Sequence, residues 1–103
     1  MNKDSKGVMM NEYAAIWILK QKAWKKLIKQ DERLKFALSI DITDVAAYIG
    51  FHARATVADI NNHPYFANTS LSTIKRFVDR LKTASVITLS IGEDKRERIL
   101  SIK

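Results

Sequence analysis

Between Ser70 and Arg80 the sequence reads SLSTIKRFVDR, with hydroxyls at Ser70, Ser72 and Thr73 and cations at Lys75, Arg76 and Arg80. A second basic group follows at Lys95, Arg96 and Arg98 in GEDKRER. Short hydroxyl side chains let a backbone approach an anion, and a helix start offers that anion unpaired N–H groups. An arginine one turn later has donors spaced for two phosphate oxygens or for guanine O6 and N7. These residue types at these spacings suit a polyanion, and nucleic acid is the commonest one. The bland alternative for both groups is a solvated basic face, with Asp79 as a helical ion-pair partner and the hairpin charges guarding a sheet edge.

Catalysis has no comparable support. The chain has no cysteine, so thiolate and disulfide chemistry are excluded. His52 and His63 lack a close carboxylate pair at metal-ligand spacing and read as surface or helix-end residues. There is no nucleophile elbow, glycine-rich phosphate loop or HExxH motif. The expectation is a protein that is not an enzyme and carries no cofactor or metal.

Positioning the basic groups requires a helix and a hairpin. The spacing of Ile74, Phe77, Val78 and Leu81 predicts a helix over 70–84, with Ser70 as N-cap and those four residues on a buried stripe. Strands are expected over 86–91 and 97–102, joined by Gly92 to Arg96, with Gly92 where a positive φ is expected. Alternation sends Arg96 and Arg98 to the outer face and Ile99 or Leu100 inward. Upstream, Val45, Ala46, Tyr48, Ile49 and Phe51 predict a helix over 43–52. The T-x-x-D run from Thr56 to Asp59 resembles a capping box and opens a helix over 56–63, which Pro64 ends. In the connection HPYFANTS, Tyr65 and Phe66 are expected to fill the space between two helices.

Residues 1–8 are polar and are expected to be flexible. A long amphipathic helix from Met9 to Gln30 follows, with Met9, Tyr13, Ile16, Trp17, Trp24, Leu27 and Ile28 apolar and lysines at 22, 25, 26 and 29. Its two tryptophans need a large surface to cover them. Either they pack on the domain's own core, or Tyr13, Trp17 and Trp24 form a homodimer interface. Residues 34–42 alternate like a strand, yet Asp31 can cap a short helix, and the segment reads as a short helix or extended connector. The expected division is a flexible 1–8, a helix and connector over 9–41, and a domain over 42–103.

At 47% hydrophobic residues the chain should fold as one domain, and its net charge of +7 favours an anionic partner. The charge is uneven: nine Lys/Arg against four Asp/Glu in residues 1–39, and eight against four in residues 70–103, flank a middle with one against three. Nothing approaches the roughly 20 apolar residues of a membrane span, so a cytoplasmic location without a membrane partner is expected.

Helix 43–53, the junction at Arg54 and Ala55, helix 56–63, helix 70–84 and the hairpin together match a winged helix-turn-helix: mainly α with a small β-hairpin (α+β), preceded by an N-terminal helical extension. The runs S-x-S-T-I-K-R-F-V-D-R-L from Ser70 to Leu81 and D-K-R-E-R-I-L-S-I from Asp94 to Ile102 resemble the multiple-antibiotic-resistance-regulator (MarR) family of transcriptional regulators. The resemblance covers residues 42–103. It implies that Ser70, Ser72, Thr73 and Arg76 face the major groove of double-stranded DNA. It also implies that Arg96 reaches the neighbouring minor groove, with Asp94 shaping the wing turn.

Three features depart from the family. Ala84 and Ser85 stand where glycine usually follows the recognition helix, the connection before that helix is expanded, and Lys103 comes directly after the second wing strand. The family usually continues there into helices that dimerise and form an effector pocket. The expectation is therefore a homodimer through the N-terminal helix and no small-molecule effector. The function expected is sequence-specific DNA binding as a small regulator, a repressor by resemblance. The second reading is a winged helix serving as a protein–protein module in a replication or transcription assembly.

Overall fold

The computed structural model describes residues 11–103. In chain order it has helix α1 (Glu12–Gln30), a 3₁₀ turn (Glu32–Phe36), α2 (Ile42–His52), α3 (Val57–Asn62), a second 3₁₀ turn (Pro64–Phe66), α4 (Leu71–Thr83) and strands β1 (Ile87–Ile91) and β2 (Arg98–Ile102). The fold is mainly helical with one antiparallel hairpin, arranged as a winged helix-turn-helix with a helical extension in front. The expected flexible segment 1–8 and the expected helix start at Met9 lie outside the described residues.

Each helix starts where a short polar side chain can take up an orphan N–H. Asn11 accepts from the Ala14 amide, and Ser70 accepts from the Thr73 amide. The T-x-x-D run forms a full reciprocal box, with the Thr56 hydroxyl on the Asp59 amide and the Asp59 carboxylate on the Thr56 amide. Asp41 and Asp44 form a second reciprocal box at the start of α2. Asp31 caps the first 3₁₀ turn through the Arg33 amide. The alternating run 34–42 pairs with no strand among the described residues. It becomes that turn and an extended connector, with Leu38, Ile40 and Ile42 against the core.

The connection from α2 to α3 is tight. Ala53 takes φ 63° and ψ −43° while the Arg54 N–H donates to the His52 carbonyl at 2.6 Å, which is a γ-turn on an L-residue. The turn delivers Ala55 beside β2. There it exchanges hydrogen bonds with Leu100 at 3.1 and 2.6 Å and acts as a one-residue third strand.

The core fills the space between α2, α3, α4 and the base of the hairpin. Val45, Ala46, Ala47 and Ile49 meet Ile60, Ile74, Val78 and Leu81, and Ile87 and Leu100 close one end. Tyr65 and Phe66 are buried, as expected for residues filling the gap before α4.

Helix α1 lies across α2. Trp17 is only 3% exposed and packs edge-on against Tyr48, His52, His63 and Tyr65, while Trp24 meets the Tyr65 ring. Trp17 is thus spent on the domain's own core, while Tyr13 and Trp24 are half-buried against the same core and keep part of their surface exposed. The approach is close at Gly50, where a Cβ would stand 2.5 Å from the Tyr13 Cβ. Here glycine is required by space rather than by φ.

A charged anchor completes the contact. Asp44 is 2% exposed, and its carboxylate accepts from the Tyr65 hydroxyl at 2.9 Å and lies 2.8 Å from Lys20 Nζ. Its other oxygen accepts from the Asp41 amide at 3.0 Å. A buried charge needs such a set of partners, because desolvation alone is costly.

Candidate nucleic-acid interface

Helix α4 buries Ile74, Val78 and Leu81, with Phe77 half-buried beside them, as its spacing requires. This fixes its opposite face. Ser72, Lys75, Arg76, Asp79, Arg80 and Lys82 are exposed there, and Thr73 is half-buried at the edge. The acid on this face, Asp79, lies 3.7 Å from Lys82 Nζ. Lys75, Arg76 and Arg80 have no ion-pair partner among the described residues, so their charge faces solvent.

At the helix start the Ser70 hydroxyl is already engaged. It caps the Thr73 amide at 3.2 Å and lies 3.2 and 2.9 Å from the hydroxyls of Ser72 and Thr73. Its first role is thus to hold the start of α4, with Ser72 outermost.

The end of α4 resolves the missing glycine. Ser85 adopts φ 62°, the Val86 N–H donates to the Leu81 carbonyl at 2.9 Å, and the Ser85 N–H donates to the Lys82 carbonyl at 3.0 Å. This is a complete Schellman ending with serine in the left-handed position. The geometry usual with glycine is kept, at the cost of strain on an L-residue.

In the hairpin, Ile87 pairs with Ile102, Leu89 with Leu100 and Ile91 with Arg98. The loop is organised by Asp94. Its carbonyl accepts from the Glu97 amide at 2.7 Å, and its carboxylate accepts from the Arg96 amide at 3.0 Å while lying 3.5 Å from Arg96 Nε. Arg96 remains 92% exposed. The Arg98 guanidinium donates to the Lys95 carbonyl at 2.8 Å, so it braces the loop, and the Lys95 side chain is exposed.

Two expectations about the hairpin are corrected. Gly92 does not take a positive φ; a Cβ there would meet the Glu97 carboxylate, the movable end of an exposed side chain, and the Ile99 side chain. Ile99 and Leu100 are both buried, because one packs beneath the loop and the other enters the core.

The flank of the wing towards α3 differs in charge. Arg54, Thr56, Asp59, Glu93, Glu97 and Ile99 line a cleft of about 390 Å³ with three carboxylates. No motif signalled it, because the topology brings residues 54–59 and 93–99 together.

The histidines stand at helix ends on the rim of the aromatic cluster, His52 exposed at the end of α2 and His63 half-buried after α3. His52 Nδ1 pairs with the Tyr48 carbonyl at 2.9 Å, and His63 Nδ1 accepts the Tyr65 N–H at 3.1 Å. Burial, then the nearby His52 and Lys25, hold the His63 pKa below its ordinary range. The Tyr65 phenol is pushed well above its usual range by burial, by its hydrogen bond to Asp44 and by the charges of Asp44 and Asp41. Among the described residues, no group of three or more His, Cys, Asp or Glu is placed to hold a metal, and no helix is long and apolar enough to cross a membrane.

In comparisons with known proteins, no family model, curated protein or solved structure matches the chain.

Proposed function

We propose that the chain is a small cytoplasmic transcriptional regulator that binds double-stranded DNA sequence-specifically, with α4 in the major groove and the wing at the adjoining minor groove. The observation that carries this reading is the outward face of α4, where Ser72, Lys75, Arg76 and Arg80 are exposed and the only acid leans to Lys82. Short side chains at the helix start admit the backbone to a phosphate, and Arg76, one turn further, reads a base edge or clamps a phosphate. Arg96 projects into solvent from the hairpin loop, held at its backbone by Asp94. The acidic cleft on the α3 flank of the wing repels phosphate, which directs DNA to the α4 side. Repression is the direction suggested by the resemblance of residues 42–103 to the MarR family.

The test is selection of bound duplexes from a random library, followed by titration of the selected site. Arg76→Ala should cost about 1–3 kcal/mol and relax preference at one base position. Arg76→Lys should recover phosphate attraction but not a two-donor base contact. Unchanged affinity in both variants would remove α4 from the major groove.

A further inference from the structure

Strand β1 pairs with β2 on one side only, and no strand lies along its other edge among the described residues. The hairpin ladder runs through the even-numbered residues: the Gly92 N–H donates to the Glu97 carbonyl and the Lys103 N–H to the Val86 carbonyl, both at 3.0 Å. By antiparallel alternation the N–H and C=O groups of Ile87, Leu89 and Ile91 point away from β2. These groups meet no other strand among the described residues. Folded proteins usually guard such an edge with charge, proline or a bulge. The sequence of β1, ITLSI, has no charge or proline, and its one-to-one register with β2 has no bulge. It also exposes large apolar side chains, with Leu89 at 42% and Ile91 at 63%.

We propose that the β1 edge docks a second copy of this chain, whose own β1 adds antiparallel across a two-fold axis at Leu89. The sequence of the strand argues for a copy of itself over a foreign segment. Reversed, I-T-L-S-I becomes I-S-L-T-I, so the two-fold register sets Ile87 against Ile91, Leu89 against Leu89 and Thr88 against Ser90. Apolar residues meet apolar residues on one face, and hydroxyls meet hydroxyls on the other. The same register brings the free groups of Ile87, Leu89 and Ile91 opposite one another as hydrogen-bonded pairs. The contact is isologous and consumes the open edge of both copies, so it closes as a dimer and does not propagate. The edge is also a stretch without charge on a chain of net charge +7, where two copies approach with least repulsion.

The experiment is sedimentation velocity on the full chain over a concentration series, without nucleic acid, so that its outcome is independent of the DNA reading. The wild-type chain should pass from monomer to dimer. Leu89→Lys sets two ammonium groups at the axis and should sediment as monomer throughout, with an unchanged circular dichroism spectrum. Leu27→Lys, on the exposed face of α1, should dimerise like wild type. Hydrogen exchange on the unmodified chain gives a second readout that needs no variant: the Leu89 and Ile91 amides should slow as concentration rises, while that of Ser90 does not change. A monomer at every concentration, a dimer abolished by Leu27→Lys but not Leu89→Lys, larger species that grow with concentration, or concentration-independent exchange at Leu89 and Ile91 would each overturn the proposal.

Discussion

Arg76, Arg96 and Arg98 read alike in the sequence and are held differently in the fold. Arg76 is exposed with no described ion-pair partner, Arg96 is tethered at its backbone to Asp94, and Arg98 is bonded to the Lys95 carbonyl. Arg98→Ala should therefore loosen the loop and raise hydrogen exchange at Glu97, whereas Arg96→Ala should leave exchange there unchanged and, on the proposed DNA-binding function, weaken binding chiefly at narrow, A·T-rich minor grooves. Equal effects of the two changes on exchange would contradict these separate roles. His63 makes a pH prediction. Its ordinary pKa is near 6.5 and the folded value is lower, so the unfolded chain takes up the proton more readily. Stability tied to His63 is thus complete above about pH 6.5 and falls as pH drops from there through the folded pKa. His63→Asn keeps an acceptor for the Tyr65 N–H and removes the titrating group. Urea unfolding at pH 7.5 and 5.5 should show a smaller loss in the variant, and an unchanged loss would assign the slope to other groups.

The elements are bounded by side-chain chemistry that acts over three or four residues. That is why the cap at Ser70, the box at Thr56 and Asp59 and the stop at Pro64 could be read directly. Two short connections instead carry strain on ordinary L-residues, at Ala53 and Ser85. Releasing the second should stabilise the protein: Ser85→Gly removes a left-handed penalty of roughly 1–2 kcal/mol, part of which the greater freedom of unfolded glycine offsets. A net gain of about 0.5–1 kcal/mol should appear as a Tm higher by several degrees. A lower Tm would mean that the Ser85 side chain contributes something the backbone geometry does not explain. Ser85 and Ala53 mark where tertiary demands outrank local preference: Val86 must be delivered to the start of the hairpin, and Ala55 to Leu100.

At the scale of the whole molecule, α1 is bound to the winged-helix body by shape at Gly50 and by charge at Asp44. Gly50→Ala places a methyl 2.5 Å from the Tyr13 Cβ and 2.9 Å from the Asn11 carboxamide oxygen. Overpacking of this kind costs about 1–3 kcal/mol, against a helix-propensity gain of about 1 kcal/mol. The expected result is a net loss seen in chemical unfolding, and a more stable variant would show that the two helices can separate without penalty. The charge distribution supports a second whole-molecule prediction. For binding through α4 and the wing, log K for DNA should fall linearly with log salt, by about 0.9 for each phosphate neutralised. A flat salt profile would turn attention to the protein–protein reading.

Amphipathic spacing, caps, proline and charge are local or periodic properties, and from them the sequence alone determined the order of helices and strands, the buried stripe of α4 and the basic surface it leaves outside. Tertiary structure decided what depends on residues distant in the chain. It turned Trp17 inward against Tyr48 and Tyr65, set Lys20 on the buried Asp44, gathered the acidic cleft from residues 54–59 and 93–99, and left the outer edge of β1 without a strand beside it among the described residues. No spacing rule reports these, because a side chain's partner across the fold is set by how elements pack and not by its neighbours in sequence.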